Sequence, residues 1–294
     1  MKTPLRYPGG KSKAYELITP HLFSKSYPKT IVSPFLGGGS LESRWASEKM
    51  VQVLGFDIFS ILVNFWRVLL TEPQKLYEEA SKLSLSDYDT IKEQLLSWNK
   101  SQALFVGWHT NHYARNPIEL DPIIGAAYYF FNHNLSYGPQ YLGWLSSIYT
   151  PKKWEDMCYK LRNYRNPSLI VEESSFEKVI EAHPNDVLYL DPPYFLEESE
   201  DNKMFKGLYP NGNFAVHHNS FDHEKLRDLL HSHKGRFVLS YNDCEEIRNY
   251  YEGFEFYFPE WAYSYGQGET RVGKNKQEIG NTPKASHEIL IVKN

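Results

Sequence analysis

The chain has 294 residues, 41% of them hydrophobic and 23% charged. That is enough for a large core and too ordinary a mixture for a disordered, collagen-like or low-complexity protein. A formal charge of −4 gives no global basic field and so argues mildly against a nonspecific nucleic-acid coat. Two cysteines, Cys158 and Cys244, lack CxxC spacing or a nearby His/Cys cluster, so neither a disulfide framework nor a metal site is expected, and a reducing cytoplasm is the default. Aromatic residues, at 16%, are the unusual figure, and some of those rings are candidates for holding something flat.

The N-terminal sequence MKTPLRYPGGKSKAYELI carries prolines and glycines where a secretory signal needs an apolar run. Residues 13–26 predict a helix interrupted near Pro20. Thr30-Ile31-Val32 predicts a short buried strand that enters the turn Pro34-Phe35-Leu36-Gly37-Gly38-Gly39-Ser40 and then a helix over 41–49. A second strand over 51–56 ends at Asp57, and 59–70 predicts another helix. Asp57, Asn64 and Arg67 interrupt the apolar stretch from Val51 to Leu70, which argues against a membrane span.

From 71 to 165 the pattern is helical and rich in Tyr and Trp, with no strand alternation. The strand–helix alternation resumes at Val187-Leu188-Tyr189-Leu190. A polar stretch over 197–220 follows, then a helix over 222–233, a strand over 237–240, a helix over 243–251 and a last strand over 288–292. The expected fold is therefore α/β, a parallel doubly wound sheet interrupted by one mainly helical insert.

Phe35-x-Gly37-x-Gly39 lies between a strand and a helix, where glycines let the backbone turn tightly against a ligand. Asp57 ends the next strand, where a carboxylate suits ribose hydroxyls. This pattern fits the adenosine of NAD or of S-adenosylmethionine equally well. Gly10-Lys11-Ser12 imitates the end of a phosphate loop, but the required earlier glycine falls at Leu5. The stretch Arg6-Tyr7-Pro8-Gly9-Gly10-Lys11 instead combines a ring, a glycine pair and a cation.

Asp191-Pro192-Pro193-Tyr194 follows a buried strand, where open α/β sheets place ligands. Chance gives such a tetrapeptide on the order of one time in a thousand in a chain this long. An exocyclic aromatic amine is a poor nucleophile because its lone pair is delocalised into the ring. A carboxylate and a carbonyl accepting its N–H groups favour a tetrahedral nitrogen, the prolines add no competing donors, and Tyr194 offers a face for a base.

YPGGK at 7–11, PFLGGGS at 34–40, the acid at 57 and DPPY at 191–194, in that order around an insert, resemble the Dam-type DNA adenine N6-methyltransferase family. The resemblance implies a Rossmann-like methyltransferase sheet, with residues 1–70 and 166–294 as a discontinuous catalytic domain and 71–165 as a target-recognition insert. It implies S-adenosylmethionine touched by Tyr7, Gly10 and Lys11, lined by Phe35, Gly37 and Gly39, and held at its ribose by Asp57. Asp191, Pro192 and Tyr194 are then expected to hold a flipped adenine beside the methyl group, with Asp191 also bordering the cofactor. Double-stranded DNA is the expected partner, and members of the family often act as monomers. Phe221-Asp222-His223 and Leu239–Asp243 match the family's later segments and are read first as structural.

Two departures stand out. The family usually carries an acid where this chain has Ser33, and the stretch after DPPY is acidic at once, with Glu197, Glu198, Glu200 and Asp201, which suits a lid better than a DNA contact. Cytosine N4 methyltransferases generally carry Ser at the place of Asp191 and protein glutamine methyltransferases Asn. A noncatalytic DNA-binding module or a nicotinamide dehydrogenase leaves DPPY unexplained.

Local charge locates the DNA better than the total does. Residues 1–30 hold six cations, Arg6 among them, against Glu16 alone. Residues 136–166 hold Lys152, Lys153, Lys160, Arg162 and Arg165 against Glu155 and Asp156. These are the expected phosphate contacts. Between them, 132–145, with Asn132, Ser136 and Tyr137, offers amides, hydroxyls and rings for base edges and for the gap left by a flipped base. Lys274 and Lys276 are further candidates.

Overall fold

The computed structural model describes residues 1–7, 9–23, 25–101, 118–137, 141–195, 221–259 and 288–294. The acidic stretch over 197–220 and the pair Lys274 and Lys276 lie outside them.

Seven strands form one sheet in the order β3-β2-β1-β4-β5-β7-β6. β1 (Thr30–Ser33), β2 (Gln52–Asp57), β3 (Leu169–Glu173), β4 (Val187–Leu190) and β5 (Phe237–Asn242) run parallel. β7 (Glu288–Lys293) inserts antiparallel between β5 and β6 (Glu255–Tyr257). The central strands are nearly continuous apolar runs because helices cover both faces of the sheet. Two neighbours of β1 matter for function: β2 leads one way and β4 the other, so the strand order reverses between β1 and β4. Crevices at such switch points, outside the carboxyl ends of the strands, are where open α/β sheets bind ligands.

Strand–helix alternation resumes earlier than the expected Val187. β3 and α8 (Phe176–Ala182) belong to the sheet domain, and their sequence is hard to read because β3 is an edge strand. Only Leu169 and Val171 of its LIVEE are buried, and the acids face water. Nor does Pro20 interrupt the first helix, since α1 (Tyr15–Phe23) runs through it. The carbonyl that loses its donor belongs to Glu16, in the exposed first turn, where water takes the donor's place.

α2 (Glu42–Glu48) and α3 (Ser60–Thr71) follow β1 and β2. The segment between α3 and β3 is helical as expected: α4 (Pro73–Ser81), α5 (Tyr88–Ser101), α6 (Pro122–Leu135) and α7 (Pro151–Arg162). Asp121 caps α6 through the amides of Ile123 and Ile124, and Thr150 caps α7 through Lys153, each with proline in the first turn. Helix α6 packs on α3 and α4, so one hydrophobic core continues from under the sheet into the insert. Much of the aromatic excess sits there. Phe65 on α3 stacks on Phe130 at 5.6 Å, and Trp154 meets Phe131 edge-on at 4.9 Å. On the other side of β4, α9 (His223–Ser232), capped by Asp222, and α10 (Glu245–Tyr250) complete the layers. Among the described residues no helix is long and apolar enough to cross a membrane.

Candidate active site

Four segments distant in sequence meet at the carboxyl end of the sheet. The glycine turn after β1 has left-handed backbone at Gly37 (φ 48°) and Gly39 (φ 55°), conformations that disfavour residues with a Cβ. Gly38 is constrained differently. A Cβ there falls 2.3 Å from Cβ of Tyr7, so Tyr7 lies directly on the turn. From below, the Trp66 indole donates to the Gly37 carbonyl at 3.0 Å. Asp57, at the end of β2, completes the turn by accepting the Gly37 amide at 3.0 Å and the Phe59 amide at 2.9 Å. Phe35, half-buried, stacks on Phe176 and meets Phe221 edge-on. Tyr7 stacks on His133 of α6, and the Gly10 amide closes onto the Tyr7 carbonyl.

The second half of the site is an acid cluster with a lysine inside it. The Lys11 ammonium is only 3% exposed and donates to both carboxylate oxygens of Asp191, at 2.8 and 3.0 Å, and to the Gly9 carbonyl at 3.0 Å. Burial pushes the Asp191 carboxyl above the ordinary range, against the pull of Lys11. Pro192 is buried behind it. Tyr194 is 3% exposed, with Lys11 over its ring at 5.1 Å and its hydroxyl donating to Glu288 at 2.5 Å. Its ring faces are therefore covered by neighbours here rather than open to a base. Asn242, at the end of β5, clamps the next residue by accepting the Phe195 amide and donating to the Phe195 carbonyl. The hydroxyl of Tyr241, one residue earlier on β5, reaches Nδ1 of His223.

Two acids of this cluster escaped sequence reasoning. Glu288, on β7, lies 3.7 Å from Lys11 and accepts the Ser240 hydroxyl at 3.1 Å; burial raises its carboxyl to about 7. Its one signal was a charge at the head of an otherwise apolar strand. Glu42, on α2, accepts the Ser33 hydroxyl at 2.9 Å, and burial raises it also to about 7. A carboxylate thus stands beside the position where the family pattern has its acid. Nothing in the run SLESRW distinguishes it from an ordinary surface helix.

The expected DNA contacts fare unevenly. Asn132 is fully buried and accepts the Leu142 amide at 2.7 Å; Ser136 is buried and donates to the His133 carbonyl. As placed, both hold the insert together rather than face a duplex. Arg6 donates to the Asn134 carbonyl and lies over the Tyr149 ring. Lys152 is paired with Glu155 and Asp156, and Lys153 donates to the Ile148 carbonyl. Arg162 is exposed, beside Tyr77. Tyr137 is open to solvent and donates its amide to the Trp144 carbonyl, next to the antiparallel bridge between Ser136 and Leu145. Trp144, 74% exposed, was not singled out from the sequence beyond its place in the ring-rich loop.

A glycine turn and a carboxylate after β1 and β2, with the Asp191 cluster after β4, stand on the two sides of the switch point of a Rossmann-like sheet. The family model for D12 class N6 adenine-specific DNA methyltransferases matches residues 7–265, and the chain belongs to that family. Among curated proteins it is similar to a modification methylase, StsI, of Streptococcus sanguinis, with 23% identity over 308 aligned positions. That alignment takes in 99% of this chain and 42% of the relative, so the chain spans less than half the relative's length.

Proposed function

We propose that the chain transfers the methyl group of S-adenosylmethionine to N6 of an adenine turned out of duplex DNA. The observation that carries this is Asp191, held at the end of β4 beside the switch point and across the crevice from the glycine turn. The residues on the other side fit the donor. Gly37 and Gly39 let the turn close tightly against the rings of Tyr7 and Trp66, Asp57 is assigned the ribose hydroxyls, and Tyr7, Gly10, Lys11 and Phe35 are assigned to the rest of the donor. We assign to Glu42 the part of the acid missing at position 33, facing the donor's ammonium group.

When bound, S-adenosylmethionine supplies a sulfonium methyl, an electrophile that needs no further activation. The protein's work is orientation and acceptance of hydrogen bonds. Asp191 and the Pro192 carbonyl take the two N6 hydrogens and so localise the nitrogen lone pair toward the methyl carbon. With the donor bound, the nitrogen would take the methyl carbon in line and the C–S bonding pair would remain on sulfur. The methylated nitrogen is then strongly acidic and releases one proton to solvent without a dedicated base. In this reading Tyr194 borders the base after the groups covering its ring give way, and fixes the DPPY segment through Glu288.

Residues 1–70 and 166–294 form the catalytic unit and 71–165 the recognition insert, in which Tyr137 and Trp144 present rings to the bases. Arg162, Lys153 and Arg6 approach phosphates, the last two after releasing their carbonyl partners. In this reading the enzyme works in the cytoplasm of a bacterium, or of the host cell of a phage or virus. Incubation with methyl-labelled S-adenosylmethionine and mixed unmodified duplex DNA, followed by nucleoside analysis, tests the whole reading. Label in N6-methyladenine is expected. Label in N4-methylcytosine, or cofactor binding with no label on any DNA, overturns it.

A further inference from the structure

In the structure Lys11 neutralises the group the chemistry needs. With its ammonium bridging both oxygens of Asp191, the carboxylate is a weakened acceptor for an N–H of the adenine amine. Some second acceptor has to take the ammonium when the amine arrives. Glu288 is placed for it. It heads β7, opposite Asn242 of β5 in the antiparallel pairing, with its side chain wholly buried and Oε1 already 3.7 Å from Nζ.

The hydroxyls of Tyr194 and Ser240 bond to the two oxygens of Glu288. A neutral side chain such as glutamine meets two hydroxyls without the desolvation penalty of a buried carboxylate. The charge therefore calls for a reason beyond those two bonds, and Lys11 is the cation beside it. A movement of about 1 Å brings Nζ to the ordinary separation of about 2.8 Å for a charged pair.

Building on the proposed adenine methylation, we propose that Glu288 is a positioning residue that receives Lys11 from Asp191 when the target amine binds. Both oxygens of Asp191 are thereby released toward the N6 hydrogens. The ammonium stays paired throughout, and Tyr194 stays anchored to the same carboxylate. No bond to carbon or sulfur is made or broken in this step, and no proton moves. One charge shifts between two acids, and the site keeps its net charge.

Glu288 must be ionised to receive Lys11, so transfer carries an acid limb set by that carboxyl, which burial raises to about 7. The groups facing it are Lys11 from the N-terminal segment, Asp191 and Tyr194 after β4, Tyr189 on β4 and Ser240 on β5.

The test measures label transfer from saturating methyl-labelled S-adenosylmethionine to unmodified genomic duplex DNA, using the full chain, with binding of S-adenosylhomocysteine as a separate readout. Glu288→Gln is expected to slow transfer at least tenfold while changing S-adenosylhomocysteine affinity less than threefold. In a Lys11→Met background, where there is no ammonium to receive, adding Glu288→Gln is expected to cost little more. Full-speed transfer by Glu288→Gln overturns the proposal. So does an equal loss in both backgrounds, which marks Glu288 as a mere prop for Tyr194.

Ser240→Ala keeps the carboxylate and removes one bond that favours its charged form, so it covers the case in which Glu288→Gln does not fold. The acid limb is expected to move up by roughly half a pH unit or more, and an unmoved limb overturns the proposal. A wild-type chain that labels no adenine defeats the function reading instead, and the two failures are distinct.

Discussion

The strand-end site and the helical insert treat their polar residues in opposite ways. At the carboxyl end of the sheet, Asp57 and Asp191 follow directly from strands whose register is fixed by burial on both faces, so each carboxylate is delivered to the crevice by backbone geometry. In the insert, Asn132, Ser136, Lys152 and Lys153 sit among local partners that occupy them. Tyr137 and Trp144, by contrast, turn ring surface to solvent. A polar residue at a strand end is thus a stronger indication of function than one on a helix or in a compact loop, where capping and carbonyl acceptors compete for it.

The contrast breaks most sharply at Asp191. Asp191→Ala is expected to reduce methyl transfer by about 10²–10³-fold or more, the scale of removing one preorganised hydrogen-bonding group from a reacting centre. Binding of S-adenosylhomocysteine by calorimetry is expected to stay within a fewfold of wild type. A variant that still transfers at the normal rate removes the assigned role.

The strand-end site also carries a measurable electrostatic load. Burial raises the folded Glu42 carboxyl to about 7 from its ordinary 4.5, so between those values the native chain holds a proton that the unfolded chain has released. Stability from this group is therefore fully present below pH 4.5 and is lost as pH rises through 7, on the order of 3 kcal/mol in all. His133 and His223, which burial lowers to about 4, act in the opposite sense between pH 4 and 6.5, but they do so equally in wild type and variant. Urea midpoints of wild type and Glu42→Gln across pH 4.5–8 are expected to diverge with pH, the wild type losing ground. Parallel curves show that Glu42 ionises normally.

In the insert, Asn132→Ala and Trp144→Ala separate holding from contacting. The first leaves the Leu142 amide without its acceptor and is expected to lower stability by about 1–3 kcal/mol. The second removes an exposed ring, so stability is expected to stay within about 0.5 kcal/mol while DNA affinity weakens by about 1–3 kcal/mol, the range for a base stacked on an aromatic side chain. Fluorescence anisotropy of labelled duplexes beside thermal melts measures both, and a reversal of the two effects contradicts the division.

Legibility followed the same division. β1, β2, β4 and β5 were plain because buried parallel strands are unbroken apolar runs, β7, antiparallel but as deeply buried, reads the same way, and the glycine turn and DPPY were plain because tight turns and strand ends restrict residue choice. β3 was obscured by its solvent-facing acids, and β6, only three residues long with two of them exposed, left no pattern. Glu42 and Glu288 were invisible as site residues because their importance lies in contacts across the fold. Ser33 is nine positions from Glu42, while Lys11 and Tyr194 reach Glu288 from the far N-terminus and from β4. The insert was legible as helical from its helical pattern and the absence of strand alternation, and illegible in detail because counting charges ignores which neighbours neutralise them.

The smallest effect tests that last point. Lys152 and Arg162 contribute equally to a sum over residues 136–166, yet Lys152 lies 3.1 Å from both Glu155 and Asp156, whereas Arg162 is an exposed cation beside a ring. A cation that neutralises a phosphate releases counterions and adds about 0.9 to the slope of log affinity against log salt. One held by two carboxylates first has to leave them. Arg162→Gln is therefore expected to reduce the slope by about one, and Lys152→Gln to change it by clearly less. The check is duplex binding titrated at several salt concentrations. Equal slopes for the two variants make the ion pairs of Lys152 irrelevant to DNA and restore simple charge counting as the better guide.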